Sequence, residues 1–117
     1  MLTEEILENS VKILDKKKGM DIKAIEISEL TSVADYFVIV TGTSTTHIKS
    51  LADELEDTLA SLGQEPKNIE GKATGWILLD YGNVVVHVFT KDARESFNLE
   101  KLWGDAPEVD ISKWITE

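Results

Sequence analysis

A chain of 117 residues with 42% hydrophobic and 29% charged content has the size and balance of one soluble globular domain, and it is too short for two independent cores. Its 12 basic against 22 acidic residues leave a formal charge of -10. That argues against a protein that coats nucleic acid phosphates over a wide surface, and it suits a basic partner approached with electrostatic steering, although net acidity also simply keeps proteins soluble. The lack of cysteine excludes disulfides and thiolate metal sites, and no apolar run is long enough to span a bilayer. The stretch MLTEEILENS has neither the basic start nor the apolar centre of a signal peptide, so the cytoplasm is the expected location.

From Thr3 to Lys18, the apolar residues Ile6, Leu7, Val11, Ile13 and Leu14 fall at helical spacing. Thr3 is the expected N-cap, and Lys16, Lys17 and Lys18 before Gly19 form a C-terminal signal. DIKAIEIS and YFVIVT read as strands, and the short link ELTSVAD between them favours antiparallel pairing. Ser44 is placed to cap a long helix from about Thr45 to Leu62, with Ile48, Leu51, Leu55, Leu59 and Leu62 in one stripe and Gly63 as its stop. A short strand near Asn68 to Glu70 completes a right-handed parallel crossover. DARESFNLEKLW predicts a third helix with Ala93, Phe97 and Leu99 to Trp103 available for burial. The tail from Gly104 to Glu117 is weakly patterned, and Trp114 is expected to tack it onto the domain. The sum is a single α/β domain over residues 1–117, with a mixed sheet of about five strands flanked by about three helices.

GWILLDYGNVVVHVF, residues 75–89, predicts a β-hairpin with Gly82 and Asn83 at the turn. Tyr81 then faces Val84, and the pairing runs outward to Trp76 with Phe89. Alternation puts Ile77, Leu79, Tyr81, Val84, Val86 and Val88 on an ordinary core face, and Trp76, Leu78, Asp80, Val85, His87 and Phe89 on a face both apolar and polar. Three helices, each about 10 Å wide, do not cover both sides of such a sheet. The mixed face is therefore the expected gap.

Other candidates for chemistry are weaker. TGTSTTH, residues 41–47, sets Thr43, Ser44 and Thr45 at a helix N-terminus, where free N–H groups suit an anion; a simple capped turn is the better reading. The glycine and small hydroxyl residue at this turn resemble those of nucleotidyltransferases, but the paired carboxylates that would hold magnesium are missing. Asp53, Glu54, Glu56 and Asp57 lie opposite the leucine stripe and read as a solvated face. His47 and His87 come from distant elements, so no metal site is expected, and His87 reads as a half-buried sheet residue. The serines and threonines show no nucleophile elbow. Lys16 to Lys18 read as a helix end, with an RNA phosphate contact as the minor alternative. The residues thus point to a binding module with no cofactor.

Three of these segments together, ADYFVIVTGTSTTHIKSLADEL, EGKATGWILLDYGNVVVHVF and RESFNLEKLWGDA, resemble the ribosomal silencing factor family, also called RsfS or Iojap. The resemblance runs from the first helix to about Ala106. It implies a nucleotidyltransferase-like α/β fold without a catalytic metal site. It also implies binding to the large ribosomal subunit at its ribosomal protein fourteen (L-fourteen), which sterically blocks joining of the small subunit and represses translation under nutrient limitation. By the same resemblance Trp76 belongs to the partner-binding surface, with Leu78, Asp80 and Tyr81 in the same motif and Lys72 in the preceding loop at its rim. The family's third-helix motif usually has Tyr where this chain has Phe97, so Phe97 carries over as a contact without a hydroxyl. A minor rRNA contact and a homodimer of the free protein are further expectations. The alternative is a nucleotide-binding or nucleotidyltransferase-like enzyme that uses the Gly42 turn.

Overall fold

The computed structural model describes residues 1–71 and 74–116. In chain order these form α1 (Thr3–Lys16), β1 (Met20–Glu26), β2 (Tyr36–Gly42), α2 (Thr45–Ser61), β3 (Asn68–Glu70), β4 (Trp76–Asp80), β5 (Val84–Thr90), α3 (Lys91–Phe97), α4 (Leu99–Leu102) and β6 (Glu108–Val109), followed by a 3₁₀ turn (Ser112–Trp114). The strands build one mixed sheet in the order β3-β4-β5-β2-β1-β6. Among the described residues only β2 and β5 pair in parallel.

Six strands replace the expected five because the tail contributes one. Val109 pairs with Ala24 and Glu108 with Ile25 at the β1 edge, and the Glu26 N–H donates to the Pro107 carbonyl at 2.9 Å. Beyond it Trp114 packs against the core, as expected. The Thr116 N–H and hydroxyl donate to the buried carboxylate of Asp15 at 2.9 and 3.0 Å. The strand–helix–strand passage from β2 through α2 to β3 is parallel in direction, since β3 is antiparallel to β4 and β4 to β5. It ends at the far edge of the sheet, with two strands between it and β2. The central place beside β2 goes instead to β5, whose first six residues are buried on both faces.

Both long helices lie on one face. Ile6, Leu7, Val11 and Leu14 of α1 join Ile48, Leu51, Leu55 and Leu59 of α2 over the inward residues of β2, β4 and β5. Leu62, expected in the stripe, falls just past the helix and is exposed. At the start of α1 the sequence expectation fails: Leu2 is the N-cap, and its N–H donates to the Glu5 carboxylate at 2.8 Å. The Thr3 hydroxyl accepts from the Asn83 side chain at 3.0 Å and so ties the hairpin turn to the helix. At the other end the left-handed residue is Lys18 (φ 65). Gly19 is needed for space, because a Cβ there would meet Val40 at 2.6 Å.

The opposite face carries a smaller cluster of Ile25, Ile27, Ala34, Phe37 and Val85, with Trp103 and Ala106 against it. The helix expected over residues 92–103 is broken here. Asn98 adopts a left-handed conformation (φ 47, ψ 56), which ends α3, and its side-chain oxygen caps α4 by accepting from the Lys101 N–H at 3.3 Å. Neither piece buries a residue; Phe97 is 55% and Leu102 72% exposed. A polar clasp helps hold them down. Arg94 donates to the Glu100 carboxylate at 2.8 Å, to the Asp21 carbonyl at 2.7 Å and to the Thr41 hydroxyl at 2.8 Å. Hydrogen bonding from Arg94 chiefly, against an opposing desolvation, with Lys23 also donating at 3.0 Å, holds the Glu100 carboxyl down at about 2.

Candidate docking face on the hairpin

Strands β4 and β5 pair in the register that the sequence predicts: Trp76 with Phe89, Ile77 with Val88, Leu78 with His87, Leu79 with Val86 and Asp80 with Val85, closed by the Tyr81 N–H on the Val84 carbonyl at 2.9 Å. The face of Ile77, Leu79 and Val84 lies under α1 and α2. On the other face the chain itself covers the β5 half, burying Val85, His87 and Phe89. Trp76, Leu78 and Asp80 of β4 remain half-buried. β4 has only the three-residue β3 on its outer side, and the chain turns away at Asn98. The gap is thus narrower than the whole mixed face.

Aromatic rings cluster on this side. Trp76 lies 5.1 Å from Phe89 at 30° and 4.7 Å from Phe97 at 48° between ring centroids and planes. Phe37 meets His87 edge-on at 4.5 Å. The Trp76 indole N–H donates to His87 Nδ1 at 3.1 Å. A ring nitrogen that accepts is unprotonated, so the neutral imidazole carries its proton on Nε2. That nitrogen is buried without a partner. Beside the indole a groove of about 400 Å³ opens, walled by Trp76, Leu78, Ala93 and Phe97 with Glu70 and Thr74 at its rim. It is an apolar slot with an acidic edge.

Gly71 sets the backbone at the mouth of the groove. Its φ is +81, and a Cβ would lie 2.1 Å from the Trp76 carbonyl oxygen. Gly71→Ala is expected to destabilise the protein by roughly 2 kcal/mol, read as a lower thermal midpoint, because it combines a strained left-handed alanine with a backbone clash.

The remaining candidates fall as follows. Asp80 is half-exposed, but one carboxylate oxygen accepts the Gly82 N–H at 2.7 Å and caps the turn. Tyr81 does not tip outward: it is 4% exposed in the core under the long helices, its hydroxyl is unpaired, and burial raises its pKa. The resemblance placed it with the contact surface; alternation along β4 placed it here, and the structure agrees with the alternation. Phe97 forms the exposed wall of the groove. Lys72 lies outside the described residues.

At the Gly42 turn, Thr43, Ser44 and Thr45 are exposed. The Ser44 hydroxyl accepts the His47 N–H at 3.0 Å, and the Thr43 N–H donates to His47 Nδ1 at 2.8 Å. His47 Nε2 lies 3.0 Å from the Lys17 carbonyl oxygen. This is the capped turn, in which the Thr43 and His47 N–H groups are already paired. The two histidines lie on different elements with separate partners, and among the described residues no group of three or more His, Asp or Glu could hold a metal. On the solvated side of α2, Asp53 pairs with Lys49 at 3.6 Å and Glu54 with Lys17 at 3.3 Å.

His87 is fully buried rather than half-buried, at 3% exposure, and burial alone pushes its pKa down to about 4. In the unfolded chain the same group titrates near 6.5. The unfolded state therefore takes up the proton first as pH falls. The neutral ring's contribution to stability is full above about pH 6.5 and is lost progressively down to about pH 4. Chemical denaturation at intervals over that range should show His87-dependent stability falling by up to roughly 3 kcal/mol. A His87→Asn variant should lack that component of the slope.

The family model described as "Ribosomal silencing factor during starvation" matches residues 2–117. The chain belongs to this RsfS family. The "Ribosomal silencing factor RsfS" of Halalkalibacterium halodurans is 41% identical over 117 residues, covering 99% of this chain and 100% of the relative. A crystal structure of a Chromobacterium violaceum protein superposes with a TM-score of 0.86 at 34% identity, covering 89% of this chain and 88% of that one. A mouse relative, "Mitochondrial assembly of ribosomal large subunit protein 1", is 36% identical over 97 residues, covering 80% of this chain and 42% of its own length. Among the described residues of this RsfS-family chain, no helix is long and apolar enough to cross a membrane.

Proposed function

We propose that this protein is a non-enzymatic silencing factor that docks on the large ribosomal subunit at ribosomal protein fourteen and blocks joining of the small subunit by occupying its place. The observation that carries the reading is the half-exposed Trp76, set on a sheet strand beside an apolar slot. A buried aromatic anchor in a water-excluding pocket is what commonly dominates a protein interface. Leu78 packs beside it, and Asp80 offers a carboxylate to a basic side chain. Gly82 already fixes the direction in which that carboxylate points. The chain's charge of -10 suits a basic, RNA-rich partner. The family's name and the mouse relative's name, which speaks of the large subunit, support the same target.

Minor rRNA contact belongs at the exposed run Lys16 to Lys18, at and just past the end of α1, and the site of action is the cytoplasm. In the free protein two copies would pair their apolar slots and hide Trp76, a dimer that competes with docking. The nucleotide-binding alternative has no specific observation in its favour, because His47 occupies the Thr43 N–H.

The test is light scattering of purified ribosomal subunits as magnesium drives them together. Suppressed joining, with the protein co-sedimenting with the large subunit alone, is the expected result. Unchanged joining with no co-sedimentation would end the proposal.

A further inference from the structure

The indole of Trp76 has a polar edge and two apolar faces, and the fold uses the polar edge internally. Its N–H is spent on His87 Nδ1 at 3.1 Å. His87 is itself fixed in the sheet: it pairs with Leu78 across the hairpin and with Ile39 of β2, and Phe37 stands edge-on to its ring at 4.5 Å. Phe89 lies parallel to the imidazole, 6.2 Å away at 10°. An imidazole that cannot rotate presents its acceptor at one place. In the pose that reaches that acceptor, the indole leans its ring on Phe89 and Phe97.

A leucine in place of His87 would have filled the same space without a desolvation cost. The histidine leaves Nε2 buried and unpartnered, which costs stability. In some proteins a polar group kept at such a cost serves orientation or specificity. Here the group it orients is the anchor of the proposed interface.

We infer that His87 is a positioning residue of the docking face: as a neutral acceptor it locks the Trp76 indole so that the partner meets an apolar ring face and no free N–H. This rests on the docking reading above. It adds a chemical requirement on the partner, which must bring an apolar side chain, not a hydrogen-bond acceptor, to the Trp76 slot.

The test uses the full chain labelled with nitrogen-15 and purified large ribosomal subunits. Trp76→Phe identifies the Trp76 indole signal among the three tryptophans by its disappearance. In His87→Leu that signal should move toward the position of a water-exposed indole and exchange faster, and subunit binding should weaken about tenfold, the scale of one ordering hydrogen bond. His87→Asn, whose side-chain oxygen reaches the place of Nδ1, should restore both. The His87→Leu loss should also vanish in the Trp76→Phe background, where no indole N–H remains to be held.

An unmoved indole signal in folded His87→Leu would overturn the assignment, and so would a moved signal with unchanged binding. If His87→Leu does not fold, His87→Asn decides alone: an indole signal like the wild type's with retained binding supports the lock, and a water-exposed signal with retained binding overturns it. A wild-type protein that binds no large subunit removes the docking function and this role with it. A wild type that binds normally beside an equally strong His87→Leu removes the role of His87 only.

Discussion

Trp76→Ala is expected to weaken binding to the large ribosomal subunit by about 2–4 kcal/mol, roughly thirtyfold or more, in a protein that remains folded. The side chain does three things at once. It supplies one wall of the apolar slot, it covers Phe89, and it gives Phe97 a surface to lean on. Truncation opens the slot to water on two sides and leaves the buried His87 Nδ1 without its donor. The stability cost should be smaller than the binding cost, because the ring is only half-buried and its removal lets water reach the imidazole. Binding isotherms by sedimentation, corrected for the folded fraction measured by circular dichroism, separate the two effects. A folded variant that binds as tightly as the wild type would take Trp76 out of the interface. Thermal denaturation showing the stability loss exceeding the binding loss would instead make Trp76 a core residue.

The hairpin was legible from sequence for a definite reason. Two runs rich in aliphatic and aromatic residues around Gly82 and Asn83 allow one tight turn, and a one-residue slip would put Asp80 and His87 on the α1–α2 side. The same alternation settled Tyr81 correctly where membership in a shared motif did not, because a motif records what occurs together and alternation records which way a side chain points. The helix Thr45–Ser61 was legible through its stripe and its Ser44 cap.

What escaped depended on distant partners. Asn98 breaks the third helix by taking the left-handed conformation, and a lone asparagine in a helical pattern is a weak sign of that. Nothing in the helical pattern marks Arg94; its acceptors include the Asp21 carbonyl, turned toward it where the β1–β2 register shifts. The two-residue β6 exists only because the β1 edge is there to pair with. The depth of His87 likewise followed from β2 lying beside β5, a neighbour the hairpin alone does not name. For the docking face, the β4 side chains were readable, while the groove beside them was not, since its far wall comes from α3.

Phe89→Ala should have the larger effect on stability, about 3–5 kcal/mol, and its consequence for docking should exceed that of an equal loss elsewhere. Phe89 is 0% exposed, with the Trp76 ring at 5.1 Å and the Phe97 ring at 6.4 Å. Its removal leaves a cavity on the side of the sheet where α3 contributes no buried residue of its own. The Arg94 clasp holds the helix at the sheet end, so the cavity is more easily filled by Phe97 and the Trp76 indole sinking into it. That collapse would pull both walls of the slot inward. Leu79→Ala is the matched control. Leu79 is equally buried, on the α1–α2 side, and its truncation should cost about 2–5 kcal/mol without moving Trp76. Denaturant unfolding should show comparable destabilisation for the two variants. Subunit binding, corrected for folded fraction, should fall only for Phe89→Ala; equal correction of both to wild-type affinity would mean that the slot does not depend on the aromatic floor beneath it.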